Sequence, residues 1–278
     1  INPPIEDFYV TSIRRQPLGI LYLISAIRNS DYLISFINGH SSKKKSLPLP
    51  KQFQYLKPHM QNKSFPFKNY SHFGMSYQEI KAQIKRLKAT VYCVSAMFTP
   101  YYEEVITIIN IIKELQEEAV IIVGGYHASC YPEFFLNHGV DFVINGEGEE
   151  TLPLLLAAID MGNNTSFNVL NTIPNLVFNY NSSVMATTRK KIDNLDSLTP
   201  PDLQFLKIRD LKMYNKKVLS LISSRGCPHN CTFCTGKTIW GLGYRTRSID
   251  SIINEIDVAI NKYDISILNF EDDNIFAY

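Results

Sequence analysis

The chain has 278 residues, of which 45% are apolar and 19% charged, and its formal net charge is +2. This length allows two domains or one large α/β domain, and the composition is that of a soluble globular protein, which excludes a disordered one. No run approaches the roughly eighteen consecutive apolar residues of a membrane-spanning helix. The most apolar stretch, 18–27, is expected to be a buried helix.

The cysteine content and the N-terminus argue against a secreted protein. The chain has five cysteines, an odd number, and it opens without a basic start followed by an apolar core. We therefore expect a cytoplasmic protein. Both ends run through expected strands and the first residue is Ile1, so we treat the chain as part of a longer protein.

Charge is distributed unevenly along the sequence. Residues 41–88 contain ten Lys and one Arg against the single acid Glu79, a net charge of +10, and they are rich in Pro and aromatic residues. Basic residues interleaved with aromatic ones can bind nucleic acid or an anionic ligand. The alternative is a solvated, irregular insertion between two elements, which we favour.

Apolar runs and helical patterns alternate over residues 1–162. Helices are predicted at 17–29, at 77–88 with a capping box of Ser76 and Glu79, and further on at 103–118, 132–139 and 150–162. Strands are predicted at 33–38, 90–98, 120–125 and 140–146. Strands that are apolar throughout and alternate with helices indicate a parallel sheet covered on both faces, hence a doubly wound, Rossmann-like α/β domain over 1–162.

A connecting region and a second α/β unit follow. The region 163–214 is predicted to hold a hairpin, 175–180 and 184–189, and an extended linker at 192–203. From about 215 the order of strand, loop, helix and strand restarts, with a strand at 217–224, a helix at 249–263 capped by Ser248, and a strand at 265–270.

Three of the five cysteines stand in a C-x3-C-x2-C loop directly after the strand 217–224, at Cys227, Cys231 and Cys234. Three thiolates can hold three irons of a [4Fe-4S] cluster and leave the fourth iron without a protein ligand. Catalytic metal sites keep one coordination position open, whereas structural metal sites are fully ligated by the protein. The amino and carboxylate groups of S-adenosylmethionine can occupy it, and the cluster can then supply the electron that releases a 5′-deoxyadenosyl radical.

A zinc site with His229 as the fourth ligand is the main alternative for this loop. Structural zinc sites usually bring a second pair of ligands downstream, and no such pair occurs between Thr235 and Tyr278. A chance cluster of free thiols is a weaker alternative still.

The loop resembles the signature of the radical S-adenosylmethionine superfamily, and 224–234 with 244–256 and 268–276 resembles members that carry an N-terminal cobalamin-binding domain. The resemblance implies a partial (β/α)6 TIM-like barrel, of which 215–278 holds the N-terminal part. It also implies that Phe233 borders the adenine of S-adenosylmethionine. In many members the end of the second barrel strand contacts the amino group of S-adenosylmethionine. By position, Glu271, Asp272 and Asp273 are expected to make this contact, and carboxylates suit an ammonium partner. Arg245 and Arg247 are left unassigned.

The first domain resembles the cobalamin-binding domain of the same family at 16–28, 95–97, 124–129 and 146–152. The resemblance implies that Ser95, Met97, Gly124 and Gly125 border the nucleotide tail of cobalamin, where glycines permit close approach. The D-x-H-x-x-G motif of classical methyltransferases is absent between Pro4 and Leu18, so cobalamin is expected without a histidine ligand from the protein. His127 is expected to be a loop histidine whose side chain is satisfied by the backbone.

The resemblance as a whole implies a cobalamin-dependent radical enzyme that methylates or cyclises a small-molecule substrate at an unactivated carbon. A one-electron reductant such as ferredoxin or flavodoxin is the implied partner, and nucleic acid is not expected. We expect this part of the enzyme to be inactive alone. A tRNA methylthiotransferase is the first rival, but it needs three further cysteines in its leading domain, where the chain offers Cys93 and Cys130. A non-catalytic zinc module is the second.

Overall fold

The computed structural model describes residues 1–10, 16–206, 212–213 and 215–277. Its strands are β1 (Ile5–Asp7), β2 (Lys44–Ser46), β3 (Ser71–Phe73), β4 (Val91–Ser95), β5 (Val120–Gly124), β6 (Phe142–Ile144), β7 (Leu176–Tyr180), β8 (Ser183–Ala186), β9 (Lys212–Met213), β10 (Lys216–Leu221), β11 (Ser224–Cys227), β12 (Gly243–Thr246) and β13 (Ile267–Phe270). Its α-helices are α1 (Leu18–Ile27), α2 (Tyr77–Leu87), α3 (Tyr102–Leu115), α4 (Tyr126–Cys130), α5 (Pro132–Asn137), α6 (Thr151–Asp160), α7 (Phe167–Leu170), α8 (Gly236–Trp240) and α9 (Ile249–Tyr263). No helix within these ranges combines the length and the apolar character needed to cross a membrane.

The main sheet of the first half has the strand order β4-β5-β6-β7-β8. Strands β4, β5 and β6 are parallel, and the hairpin of β7 and β8 continues the sheet in antiparallel fashion. On the other side of β4 the chain start adds to the sheet, because Ser95 N donates to Ile1 O at 3.0 Å and Asn2 N donates to Ile37 O at 3.0 Å. The mixed sheet, with its parallel core of β4, β5 and β6, confirms the predicted Rossmann-like class.

Both faces of this sheet are covered by helices. On one face Ile80 and Ile84 of α2 and Ile108 and Ile112 of α3 pack against β4 and β5 in one buried cluster. On the other face α1 and α6 pack against β5 to β7 in a second cluster that includes Leu155. Because each fully buried Leu or Ile side chain contributes about 1.5–3 kcal/mol, these two layers hold the domain together.

Local signals set the helix starts as predicted. The Ser76 side chain accepts from Glu79 N while the Glu79 carboxylate accepts from Ser76 N at 2.7 Å, so the expected capping box begins α2. Ser248 caps α9 by accepting from Ser251 N. The hairpin turn also falls where predicted, with Asn181 and Ser182 in the left-handed region that such turns require.

The predicted strand 33–38 is wrong for most of its length. Leu33 is 99% exposed, and in this stretch only Asn38 forms a β-bridge, with Asn2. The bridge partner, Asn2, is the second residue of the sequence, and no other described strand lies beside residues 33–36.

The basic segment 41–88 is more ordered than the favoured interpretation expected. Strand β3 pairs with both β1 and β2 to give a three-stranded antiparallel sheet, and residues 51–56 form a 3-10 helix. Phe8, in the loop after β1, contacts the rings of Phe53, Phe67 and Tyr70. The insertion is therefore fastened to the first domain through an aromatic cluster.

The second half begins a new sheet. Strands β10 and β13 are parallel and joined through α9, as expected for the first repeat of a β/α barrel, and β9 pairs with β10. The stretch 192–203 is not a free linker, because Ile192, Leu195 and Leu203 are buried. Leu203 belongs to a cluster that also contains Leu21 of α1 and Leu219 of β10, so the two halves share a packed junction.

Candidate cofactor sites

The cysteine loop leaves a small hairpin rather than the barrel strand itself. Strand β10 ends at Leu221, and Cys227 closes β11, which pairs with β12 so that Cys227 lies opposite Gly243. Gly226 has a φ of +84°, and a Cβ there would lie 2.5 Å from Gly243 O. Only glycine fits this position, so the backbone next to the first cysteine is tightly constrained.

The three predicted ligand thiols are free and stand on this loop. Cys227 is half-buried, whereas Cys231 and Cys234 are exposed. Cys234 Sγ accepts from Gly236 N at 3.3 Å, and Cys227 Sγ lies 3.8 Å from Asn274 Nδ2. Unbridged thiols that accept N–H donors fit an iron–sulfur cluster in their chemistry. Within the described ranges, however, the structure does not gather three His, Cys, Asp or Glu side chains into a metal-binding set.

The residues expected to contact S-adenosylmethionine surround the same loop. Phe233 is 89% exposed between the second and third cysteines. Glu271 Oε1 accepts from Ser220 Oγ at 3.0 Å, and both oxygens of Asp272 accept from Ser223 N at 3.1 Å. Asp273 is exposed. Two of the three acids therefore already fasten the carboxyl end of β10 to the strand beside it.

The predicted cobalamin residues lie together at the carboxyl edge of the main sheet. Ser95 at the end of β4 is in register with Gly124 at the end of β5, and Gly125 follows with a φ of +114°. A Cβ on Gly125 would lie 2.7 Å from Ala96 O, whereas one on Gly124 would make only an ordinary contact of 3.6 Å. Gly125 is thus required by the fold itself, while Gly124 leaves room at the edge.

Apolar side chains are exposed beside these glycines. Met97, Phe98 and Tyr131 all expose large apolar surface at this edge. Such a surface suits a large flat ligand. His127, by contrast, is buried among aromatic rings, and its Nδ1 lies 3.1 Å from Thr99 Oγ1. Burial lowers the pKa of His127, so it is held neutral within its loop, bonded to a side chain rather than to backbone.

A buried ion cluster that the sequence analysis missed joins the two halves. The Glu147 carboxylate accepts from Arg225 and from Arg245, each at 2.7 Å, and from Ile192 N at 3.0 Å. Glu149 accepts from the second arm of Arg225 at 2.5 Å. Glu147 lies directly after β6, whereas the two arginines are paired across the cysteine hairpin. Two features of the sequence could have pointed to this ion cluster, namely the acidic motif at 146–152 and Arg245, which was left unassigned. Arg247 instead pairs with Glu255.

Aromatic contacts complete this junction. The Arg225 guanidinium lies 5.3 Å from the ring centroids of both Tyr22 and Trp240. Burial alone would lower the pKa of Arg225, but Glu149 and Glu147 together raise it, so the residue stays charged. Tyr126, next to the glycine pair, contacts Trp240 of α8 edge-on at 6.0 Å. The glycine loop and the segment after the third cysteine are therefore neighbours.

Comparison with known proteins identifies a family for the first half of the chain. The B12 binding domain family matches residues 15–156. An uncharacterized methyltransferase of Pyrococcus horikoshii is 27% identical over 98% of this chain and 52% of its own length. An anaerobic magnesium-protoporphyrin IX monomethyl ester cyclase of Rubrivivax gelatinosus is 28% identical over 72% of this chain and 36% of its own length.

A solved structure shows the same fold. The radical S-adenosylmethionine methyltransferase TsrM from Kitasatospora setae, determined with cobalamin and a [4Fe-4S] cluster, superposes with a TM-score of 0.58 at 15% identity. The match covers 93% of this chain and 45% of that one. The chain thus spans about half, or less, of the length of these proteins.

The chain belongs to the B12 binding domain family.

Proposed function

We propose that the chain is the cofactor-binding part of a cobalamin-dependent radical S-adenosylmethionine enzyme. In this proposal 1–162 is the cobalamin-binding domain, 163–214 a hairpin and connection, and 215–278 the start of the radical domain. The observation that carries it is the packed junction between Glu147 and the cysteine hairpin, which holds the two proposed cofactor sites next to each other.

We assign Cys227, Cys231 and Cys234 as ligands of a [4Fe-4S] cluster. All residues from Pro228 to Thr235 are exposed. Because this loop is not packed against the rest of the protein, Cys231 and Cys234 are free to approach a common cluster. When bound, such a cluster supplies the electron that cleaves S-adenosylmethionine into methionine and a 5′-deoxyadenosyl radical. The zinc alternative has less support, because no second pair of ligands occurs between Thr235 and Tyr278.

The residues around the loop are assigned to S-adenosylmethionine. Phe233 is exposed and available to cover the adenine ring, and Glu271, Asp272 and Asp273 lie where an ammonium group would meet carboxylates. The bonds of Asp272 to Ser223 and Ser224 tie these acids to the start of the cysteine hairpin. The acids thereby keep their position relative to the proposed cluster.

We assign cobalamin to the carboxyl edge of β4 and β5, beside Ser95, Met97, Gly124 and Gly125. The exposed Met97 and Phe98 support this placement. We propose that cobalamin binds without a histidine ligand from this chain, because the D-x-H-x-x-G motif is absent between Pro4 and Leu18.

The reaction proposed for the whole enzyme is methylation or oxidative cyclisation of a small molecule at an unactivated carbon. Similar proteins are named as a methyltransferase and as a cyclase, and the chain spans too little of them to choose. A ferredoxin or flavodoxin would supply electrons. We propose no turnover by the 278-residue chain alone.

Anaerobic reconstitution with iron and sulfide tests the cluster. We expect about four irons and four sulfides per chain and reductive cleavage of S-adenosylmethionine. The triple variant of the three cysteines to Ala should lose both, whereas Cys93→Ala and Cys130→Ala should keep them. A wild-type chain that takes up zinc but no iron would overturn the assignment.

Equilibrium binding of hydroxocobalamin tests the other site independently. We expect a red protein after gel filtration and a weakened complex for Gly124→Val, whose side chain would fill the space above β5. A colourless wild-type protein would remove the cobalamin assignment and leave the cluster assignment standing.

A further inference from the structure

A cavity of about 590 Å³ lies beside the basic insertion, between the loop after β1, the 3-10 helix at residues 51–56 and the first turn of α3. Eight of its lining residues are aromatic, and four are carboxylates, Glu6, Asp7, Glu103 and Glu104. No Lys, Arg or His stands among the described residues that line it. This is unexpected, because residues 41–88 carry a net charge of +10.

Glu104 is the most informative of the four carboxylates. It is only 5% exposed, and it accepts the backbone N–H of Glu6 at 2.8 Å. Among the ion pairs found within the described residues, none includes Glu104. A buried carboxylate normally has a cationic partner, because burial without one is costly. Burial accordingly raises the pKa of Glu104 to about 7.

Two of the neighbouring carboxylates have partners of their own, which leaves Glu104 as the one to meet a cation. Glu6 is paired with His72 at 2.9 Å, and Asp7 accepts the hydroxyl of Tyr101 at 2.7 Å. Burial raises the pKa of the Tyr70 phenol, and the nearby Glu6, Glu104 and Asp7 raise it further. The cavity therefore combines aromatic walls with four carboxylates.

We propose that this cavity binds a small organic cation, an ammonium or guanidinium group on an apolar body, with Glu104 as its counter-ion and the tyrosine and phenylalanine rings as its walls. Aromatic faces attract such cations, and a carboxylate shielded from water adds a charge-assisted contact. The volume is that of an ordinary small-molecule site. The site shares no residue with the proposed cofactor sites, so it stands or fails without them.

Paired probes of equal shape test the charge requirement. Choline and its neutral isostere 3,3-dimethyl-1-butanol, and benzylamine and benzyl alcohol, are titrated calorimetrically into the 278-residue chain at about pH 8, without cofactors. We expect each cation to bind about tenfold or more tightly than its neutral partner. Equal binding within both pairs, or no binding of either cation, would overturn the proposal.

Three variants locate the site. Glu104→Gln should weaken cation binding about tenfold. Tyr55→Ala, at a rim position that is 68% exposed, should weaken it about two- to fivefold without unfolding the protein. Glu117→Gln removes an exposed carboxylate beyond the far end of α3 and should change nothing. If Glu104→Gln does not fold, Tyr55→Ala still decides. Unchanged affinity in Tyr55→Ala, or an equal loss in Glu117→Gln, would contradict the location.

Discussion

Replacing Glu147 by Gln tests whether the buried ion cluster holds the two halves of the chain together. The Glu147 side chain is 1% exposed and that of Arg225 is 4% exposed, so water does not compensate for the lost charge. The substitution keeps the shape of the side chain but leaves Arg245 without its carboxylate and Arg225 with Glu149 alone.

The expected cost follows from this arrangement. Removing one partner of a buried ion pair destabilises a protein by about 3–5 kcal/mol. Because Arg225 keeps Glu149, we expect the lower end, about 3 kcal/mol. That is a large part of the roughly 5–15 kcal/mol by which proteins of this kind are stable.

Urea unfolding followed by circular dichroism measures this loss, and Glu150→Gln is the matched control. Glu150 lies three positions away and pairs with Lys190 at 2.7 Å, but both side chains are largely exposed. Exposed pairs contribute about 0–1 kcal/mol, so the control should stay close to the wild type. If Glu147→Gln and Glu150→Gln lose the same stability, the interdomain role assigned to Glu147 is wrong.

Three further predictions concern the fold around the sites. Gly125→Ala should cost about 1–3 kcal/mol in urea unfolding, because the φ of +114° and the 2.7 Å approach to Ala96 O exclude a side chain, whereas Gly124→Ala should be near neutral; equal effects would refute this. Glu104 has a raised pKa, so its protonated form stabilises the fold below its ordinary value of 4.5, and that stability is lost as the pH rises towards about 7. Between about pH 4.5 and pH 7 the wild type should therefore lose about 3 kcal/mol of unfolding free energy relative to Glu104→Gln, which has no ionisable group at this position. Parallel pH profiles of the two proteins would contradict the assignment. Ser76→Ala should destabilise α2 by about 1 kcal/mol through loss of the capping box, and an unchanged urea midpoint would show that the cap is not needed.

Local chemistry was enough to predict much of the secondary structure. The capping residues Ser76 and Ser248 begin their helices as expected, and the hairpin turns at residues 181 and 182. These signals act within a few residues, so the sequence displays them directly. The spacing of Cys227, Cys231 and Cys234 is local in the same sense, which is why the sequence alone could point to a cluster site there.

Contacts between residues that are distant in the sequence were decided by the tertiary structure alone. Glu147 and Arg245 are 98 positions apart, and nothing in the intervening sequence marks them as partners. In the predicted strand 33–38 only Asn38 is paired among the described residues, because pairing depends on a neighbouring strand and not on the apolar pattern of the segment itself. The cavity at Glu104 likewise exists only because β1, the basic insertion and α3 converge. Contacts of this kind depend on how separate elements pack, and periodicity within one element carries no information about them.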